Sequence, residues 1–187
     1  EYVFLAFEKF DLTGKTALIT GAAGLMGKEH AIALLESGAK VILTDIGEKE
    51  LSEAKNALLK ITQAIYIDTF IMDVSKPEVV NQVATNIANA GTRIDILVNN
   101  AAIDPKVKGE EGVIETTRLE NFSIEQWDLQ VAVGLTGAFL CSQVFGTAMA
   151  KDNLGGVILN IASDLSVFSP DQRLYRKSNT PEEMQPV

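Results

Sequence analysis

Residues 19–46 read ITGAAGLMGKEHAIALLESGAKVILTDI, an apolar stretch, three glycines, a helix-periodic segment and a second apolar stretch that closes on an acid. KTALIT is rich in β-formers, KEHAIALLESG carries apolar residues at helical spacing and stops at Gly38, and KVILTD is a second strand. In such a strand–turn–helix unit one glycine permits the tight bend and another lets backbone N–H groups approach a pyrophosphate. The last allows the helix to pack close to the strand, and the helix N-terminus adds a positive end. Gly21, Ala23, Gly24, Leu25, Met26 and Gly27 are therefore the candidate phosphate-binding turn. Asp45, followed by Ile46, ends the second strand about 20 residues beyond the turn, where a carboxylate accepts hydrogen bonds from the adenosine ribose hydroxyls. It would repel a 2′-phosphate, which favours NAD over NADP, with Lys28 as the nearest contrary cation. The alternative for Asp45 is a solvated acid at a strand end.

Outward from this unit the alternation continues. EKELSEAKNALLKI is a polar-faced helix and AIYIDTFIMDV a third strand. SKPEVVNQVATNIANAG is a helix with Ser75 as N-cap and Pro77 in its first turn. RIDILVNNAA is a fourth strand. IEQWDLQVAVGLTGAFLCSQVFGTAMAK is one long helix, or two meeting near Gly134, and GGVILNIAS is a fifth strand. Alternating strands and helices predict an α/β fold: a Rossmann-type, doubly wound parallel sheet with helices on both faces. Right-handed crossovers give the strand order 3-2-1-4-5, without the later strands of such sheets. The whole of 1–187 reads as a single dinucleotide-binding domain with its core at 11–163, and 164–187 reads as a loop or tail.

The 187 residues are 47% hydrophobic, enough for one compact core. No apolar run approaches the length of a membrane span and no secretory leader is recognisable, so the expectation is a soluble, cytoplasmic protein without a membrane partner. The net charge of −9 argues against a nucleic-acid partner. The single Cys141 excludes disulfides within the chain, and no ligand cluster suggests a metal. The opening EYVFLAF carries no assigned function.

With TGAAGLMG, the pair Asp73 and Val74, DILVNNAA at 95–102 and GGVILNIAS at 155–163, the chain resembles the short-chain dehydrogenase/reductase family, classical type, over residues 11–163. The resemblance implies that Asp73 and Val74 flank the adenine and that Asn99, Asn100, Ala101 and Ala102 line the nicotinamide-side ribose. It also implies that Ser163 polarises a substrate carbonyl. Ser163 lies at the carboxyl end of the fifth strand, on the edge where open parallel sheets bind ligands; its alternative is to cap the segment after it. In this family the helix that holds LTGAFLCSQVFGTAMA commonly forms a subunit interface, which implies a homodimer or homotetramer.

Three departures qualify the resemblance. The turn is T-G-x-x-G-x-x-G, with Leu25 at a usual glycine position, as in the family's extended branch. Gly134 replaces the asparagine that holds a proton-relay water. The family's Tyr-x-x-x-Lys is absent: Tyr2, Tyr66 and Tyr175 are followed four positions later by Ala6, Phe70 and Asn179. One explanation makes 164–187 an enlarged loop leading into a further C-terminal part that carries the pair. The other makes the chain a cofactor domain without it. Two functions are consistent with these residues. One is hydride transfer between nicotinamide and a secondary alcohol or ketone, with a small-molecule substrate such as a sugar or sugar nucleotide. The other is a catalytically silent NAD-binding sensor or assembly subunit.

Among other residues, Lys106, Lys108 and Arg118 fall in a long acidic-and-basic loop read as solvated. His30 reads as a surface or interface residue facing away from the glycine turn, and Trp127 and Asp128 as packing and capping residues.

Overall fold

The computed structural model describes residues 8–60, 63, 66–103, 119–169, 171–176, 178, 179 and 181. EYVFLAF and the loop cations Lys106, Lys108 and Arg118 lie outside these residues.

Five strands form one parallel sheet in the order β3-β2-β1-β4-β5: β1 Thr16–Thr20, β2 Lys40–Asp45, β3 Ile67–Ile71, β4 Ile96–Asn99 and β5 Val157–Asn160. This is the predicted order. Between the strands run α1 Leu25–Glu36, α2 Glu48–Leu58, α3 Pro77–Asn89 and a long α4, Ile124–Lys151.

The period-two alternation of side chains divides each inner strand between two apolar layers. Leu18, Ile42 and Leu97 meet Val80, Val83 and Ile87 of α3 and Cys141, Phe145 and Met149 of α4. Their chain neighbours Ile19, Val41, Leu43 and Val98 turn to the other face, against Ala31 of α1 and Leu51 and Leu58 of α2. At the outer margin β5 is uncovered among the described residues, with Val157 59% and Leu159 48% exposed.

Helix ends obey local chemistry. α1 stops where Gly38 takes φ +90°, its N–H reaching Leu35 O at 2.9 Å while Ala39 N–H reaches Leu34 O at 3.0 Å, a left-handed glycine stop. α3 opens one residue later than predicted. Lys76 is its N-cap and Pro77 its first residue, while the Ser75 N–H and hydroxyl both donate to Asp73 Oδ1, at 2.9 and 2.6 Å. At the start of α4 the cap is Ser123, whose side chain accepts from Gln126 N–H; among the described residues Asp128 caps nothing, and Trp127 is 58% exposed rather than packed. His30 is half-buried, with Nε2 buried and unpartnered among the described residues.

α4 is a single helix with two π turns, Ala132–Thr136 and Ser142–Gly146. Gly134 sits inside the first turn and breaks nothing. By length and composition α4 is long and apolar enough to cross a membrane, which corrects the sequence expectation that no segment is. In the fold its buried residues Gly137, Cys141, Phe145 and Met149 face the sheet. A Cβ on Gly137 would stand 2.6 Å from Val74 Cγ2, so glycine is what lets α4 approach so closely.

Candidate active site

The carboxyl ends of the strands gather most of the sequence-predicted residues on one edge. Gly21 leaves β1 with φ +62°, and a Cβ there would fall 2.8 Å from Ala101 Cα. At Gly27 a Cβ would meet Gly21 O at 2.4 Å and Ala22 Cα at 2.6 Å. These two glycines have distinct tasks, the bend against β4 and the seating of α1 on the turn. Gly24 is the N-cap of α1 and supplies no side-chain cap, so first-turn N–H groups at Leu25, Met26 and Gly27 are left for an anion. Leu25 and Met26 point their side chains outward, with Leu25 84% exposed.

Asp45 is coupled to this turn. Its Oδ2 accepts the Ala23 N–H at 3.0 Å and its Oδ1 accepts the Ile46 N–H at 2.8 Å. Each oxygen retains a lone pair for a further donor. The carboxylate thus both fixes the turn and presents acceptors at the end of β2.

Thr20, which the sequence pattern did not single out, organises the β1–β4 junction. Its hydroxyl accepts from Asn100 N–H and Ala101 N–H, both at 3.0 Å, and donates to Val98 O at 3.4 Å. The Asn100 side-chain amide donates to Thr20 O and Gly21 O. Asn99 is used internally as well: its Nδ2 lies 2.8 Å from Asn160 Oδ1, 3.0 Å from Ser142 Oγ and 3.3 Å from Ala138 O, tying β4 to β5 and α4. The side chains of both asparagines therefore serve the scaffold, and so do the Asn100 and Ala101 N–H groups held by Thr20 and the Asn99 carbonyl, which accepts from Ile161 N–H at 3.0 Å. The signal for Thr20 was the threonine of TGAAGLMG itself.

On the other side of the sheet, Asp73 Oδ1 accepts from Ser75 N–H at 2.9 Å and shapes the chain after β3. Val74 is in the core, 5% exposed, so it is available to a ligand only at its margin. A groove of about 790 Å³ floored by Thr69, Phe70 and Ile71 lies between α2 and α3, on the margin opposite β5 and apart from the site.

Ser163 stands beyond β5 and caps a short 3-10 turn, Asp164–Ser166. Its Oγ accepts from Leu165 N–H at 3.1 Å and donates to Asp164 Oδ1 at 3.3 Å. The stretch after Ser163, expected to be loop, also holds a second 3-10 turn, Gln172–Tyr175. Gly134 is exposed, and a Cβ there would meet nothing within 4 Å, so the position of the family's relay asparagine is open space. Cys141, though close in sequence to Ser142, is fully buried, and burial pushes its thiol up to about 12.

A parallel 3-2-1-4-5 sheet with a glycine turn under α1 and an acid at the end of β2 defines a Rossmann-type α/β protein. The profile of the short chain dehydrogenase family matches residues 15–176, and the chain belongs to that family. It is 34% identical over 172 residues to the NAD-dependent glycerol dehydrogenase of Listeria innocua, covering 91% of this chain and 61% of the relative. It is 34% identical over 165 residues to the D-threitol dehydrogenase of Mycolicibacterium smegmatis, covering 88% of this chain and 58% of that one. Among solved structures, a gluconate 5-dehydrogenase from Burkholderia cenocepacia in complex with NADP and tartrate superposes with TM-score 0.74 at 27% identity, over 88% of this chain and 60% of the other. The chain thus spans about three fifths of the length of these relatives.

Proposed function

We propose that the chain forms the cofactor-binding part of an NAD-dependent oxidoreductase that moves hydride between nicotinamide and a secondary alcohol or ketone. The observation that carries this reading is the Ala23–Asp45 hydrogen bond, which joins the phosphate turn to the acid that would read the adenosine ribose. The cradle fits a dinucleotide: glycine at 21 and 27 is sterically required, the first turn of α1 lacks a side-chain cap, and Asp45 keeps free lone pairs.

Bound there, NAD would supply the hydride acceptor or donor. The first-turn N–H groups of α1 hold the pyrophosphate, and Asp45 accepts from the ribose hydroxyls while its charge disfavours a 2′-phosphate. The chain at Asp73 and Val74 walls the adenine, and the backbone from Asn99 to Ala102 borders the second ribose. Ser163 donates its hydroxyl proton to the substrate carbonyl oxygen, stabilising charge as it develops. The polyol and sugar-acid names of the relatives support a small polar substrate, a polyol, sugar or sugar nucleotide. The apolar outer face of α4, with Leu135 and Phe139 exposed, supports a homodimer or homotetramer.

The test is NADH-linked carbonyl reduction by the full-length protein, with Ser163→Ala alongside. Loss of turnover at unchanged NAD affinity is expected; turnover equal to the parent would remove Ser163 from the chemistry. The lack of Tyr-x-x-x-Lys within these residues, together with Gly134, favours a second reading, a silent NAD-binding sensor or assembly subunit. That reading requires NAD binding without turnover of any carbonyl compound by the full-length protein.

A further inference from the structure

The residue beside the candidate catalytic serine is an acid in direct contact with it. A serine hydroxyl has one proton and two lone pairs. In this structure Leu165 N–H occupies one lone pair, and the proton is directed at Asp164 Oδ1, 3.3 Å away. Ser166 Oγ donates to Ser163 O at 2.7 Å and holds the turn that presents both side chains. Ser163 and Asp164 are both exposed at the open edge beyond β5, and Asp164 has no cation paired with it among the ion pairs of the described residues.

When a ketone oxygen accepts the Ser163 hydrogen bond, Asp164 loses that donor while standing one hydrogen-bond length from Ser163 Oγ. A substrate restores the balance if it carries an O–H on the carbon next to the carbonyl. The two groups then read an α-hydroxy ketone, or the vicinal diol it comes from, at two points: carbonyl oxygen to Ser163, neighbouring hydroxyl to Asp164. A carboxylate at that neighbouring carbon meets a like charge and has no proton to offer. An unsubstituted carbon offers Asp164 no donor, so such a ketone makes one hydrogen bond fewer than an α-hydroxy ketone.

We propose that Asp164 is a specificity-determining residue that selects α-hydroxy ketones and vicinal diols and rejects α-keto acids. This rests on the reading of Ser163 as the carbonyl-polarising hydroxyl. It separates the neutral polyols from acids that carry their charge beside the reacting carbon.

The experiment uses the full-length protein, NADH and three ketones of nearly equal size: hydroxyacetone, butanone and pyruvate. The expected order of kcat/KM is hydroxyacetone, butanone, pyruvate, with roughly tenfold or more between the first and last. In Asp164→Asn the hydroxyacetone-to-pyruvate ratio falls about tenfold, with the change in KM rather than kcat, and Asp164→Glu restores part of the preference. NADH affinity, measured by fluorescence, reports that each variant is folded. An unchanged ratio in Asp164→Asn, a parent enzyme that prefers pyruvate, or no reduction of any of the three overturns the assignment. Parent-like turnover in Ser163→Ala would instead remove the reading on which it rests.

Discussion

The Asn100 side-chain amide donates to the carbonyl oxygens of Thr20 and Gly21, at 2.9 and 3.0 Å, from a position 79 residues beyond Gly21 in the chain. One amide nitrogen thus holds the end of β1 and the start of the phosphate turn against β4. Replacing it by alanine strands two carbonyl groups. Asn100→Ala is expected to cost about 1–3 kcal/mol of stability. It should also weaken NAD binding roughly tenfold. Denaturant unfolding and calorimetric titration check the two separately.

Glycine has opposite meanings at two positions. A Cβ on Gly27 would collide with backbone, Gly21 O and Ala22 Cα, neither of which can rotate away. Gly27→Ala should lose about 1–3 kcal/mol and most of its NAD affinity. A Cβ on Gly134 meets nothing. Gly134→Ala should gain up to about 1 kcal/mol from helix propensity, read as a higher midpoint in urea.

Asp45→Asn tests the cofactor choice. The amide keeps an oxygen for the Ala23 N–H but removes the negative charge. NADP affinity is expected to rise about tenfold while NAD affinity falls by less. A pair of titrations, one per cofactor, decides this; an unchanged ratio would remove Asp45 from discrimination.

Burial governs Cys141. With its thiol pushed up to about 12 from an ordinary value of 9.0, it stays protonated in the folded protein across the neutral range. An aromatic disulfide reagent at pH 8 should therefore modify it only on the timescale of unfolding. The linkage has one sign: between pH 9.0 and about 12 the unfolded chain releases the proton that the folded chain keeps. Stability contributed here is complete below pH 9 and falls above it, by at most about 1.4 kcal/mol per pH unit. Unfolding free energies at pH 8 and pH 10, compared with those of Cys141→Ala, measure it.

The strand order, the glycine turn and the acid at position 45 were readable because each depends on local pattern and on the handedness of crossovers. The work of Thr20, Asn99 and Asn100 was not, since those hydrogen bonds join residues about 40 to 80 apart in sequence and exist only once β1, β4 and α4 are in place. Ser75 misled as a cap for a related reason: its N–H and hydroxyl turn back to the Asp73 carboxylate instead of toward the first turn of α3. Likewise the width of a helical turn leaves no mark in composition, so α4 could be read as one helix or two.

That width has a consequence for α4. Gly137, Cys141, Phe145 and Met149 all face the core at a strict spacing of four. In a regular α-helix such a series would wind about 40° around the axis at each step. The π turn Ser142–Gly146 has more residues per turn and rotates the other way, so the stripe stays in phase with the sheet. The extra residue behaves like a leap day, absorbing a fraction that would otherwise accumulate. Deleting Gln143 would remove that correction and swing Met149 by about 100°, from beneath the sheet toward solvent.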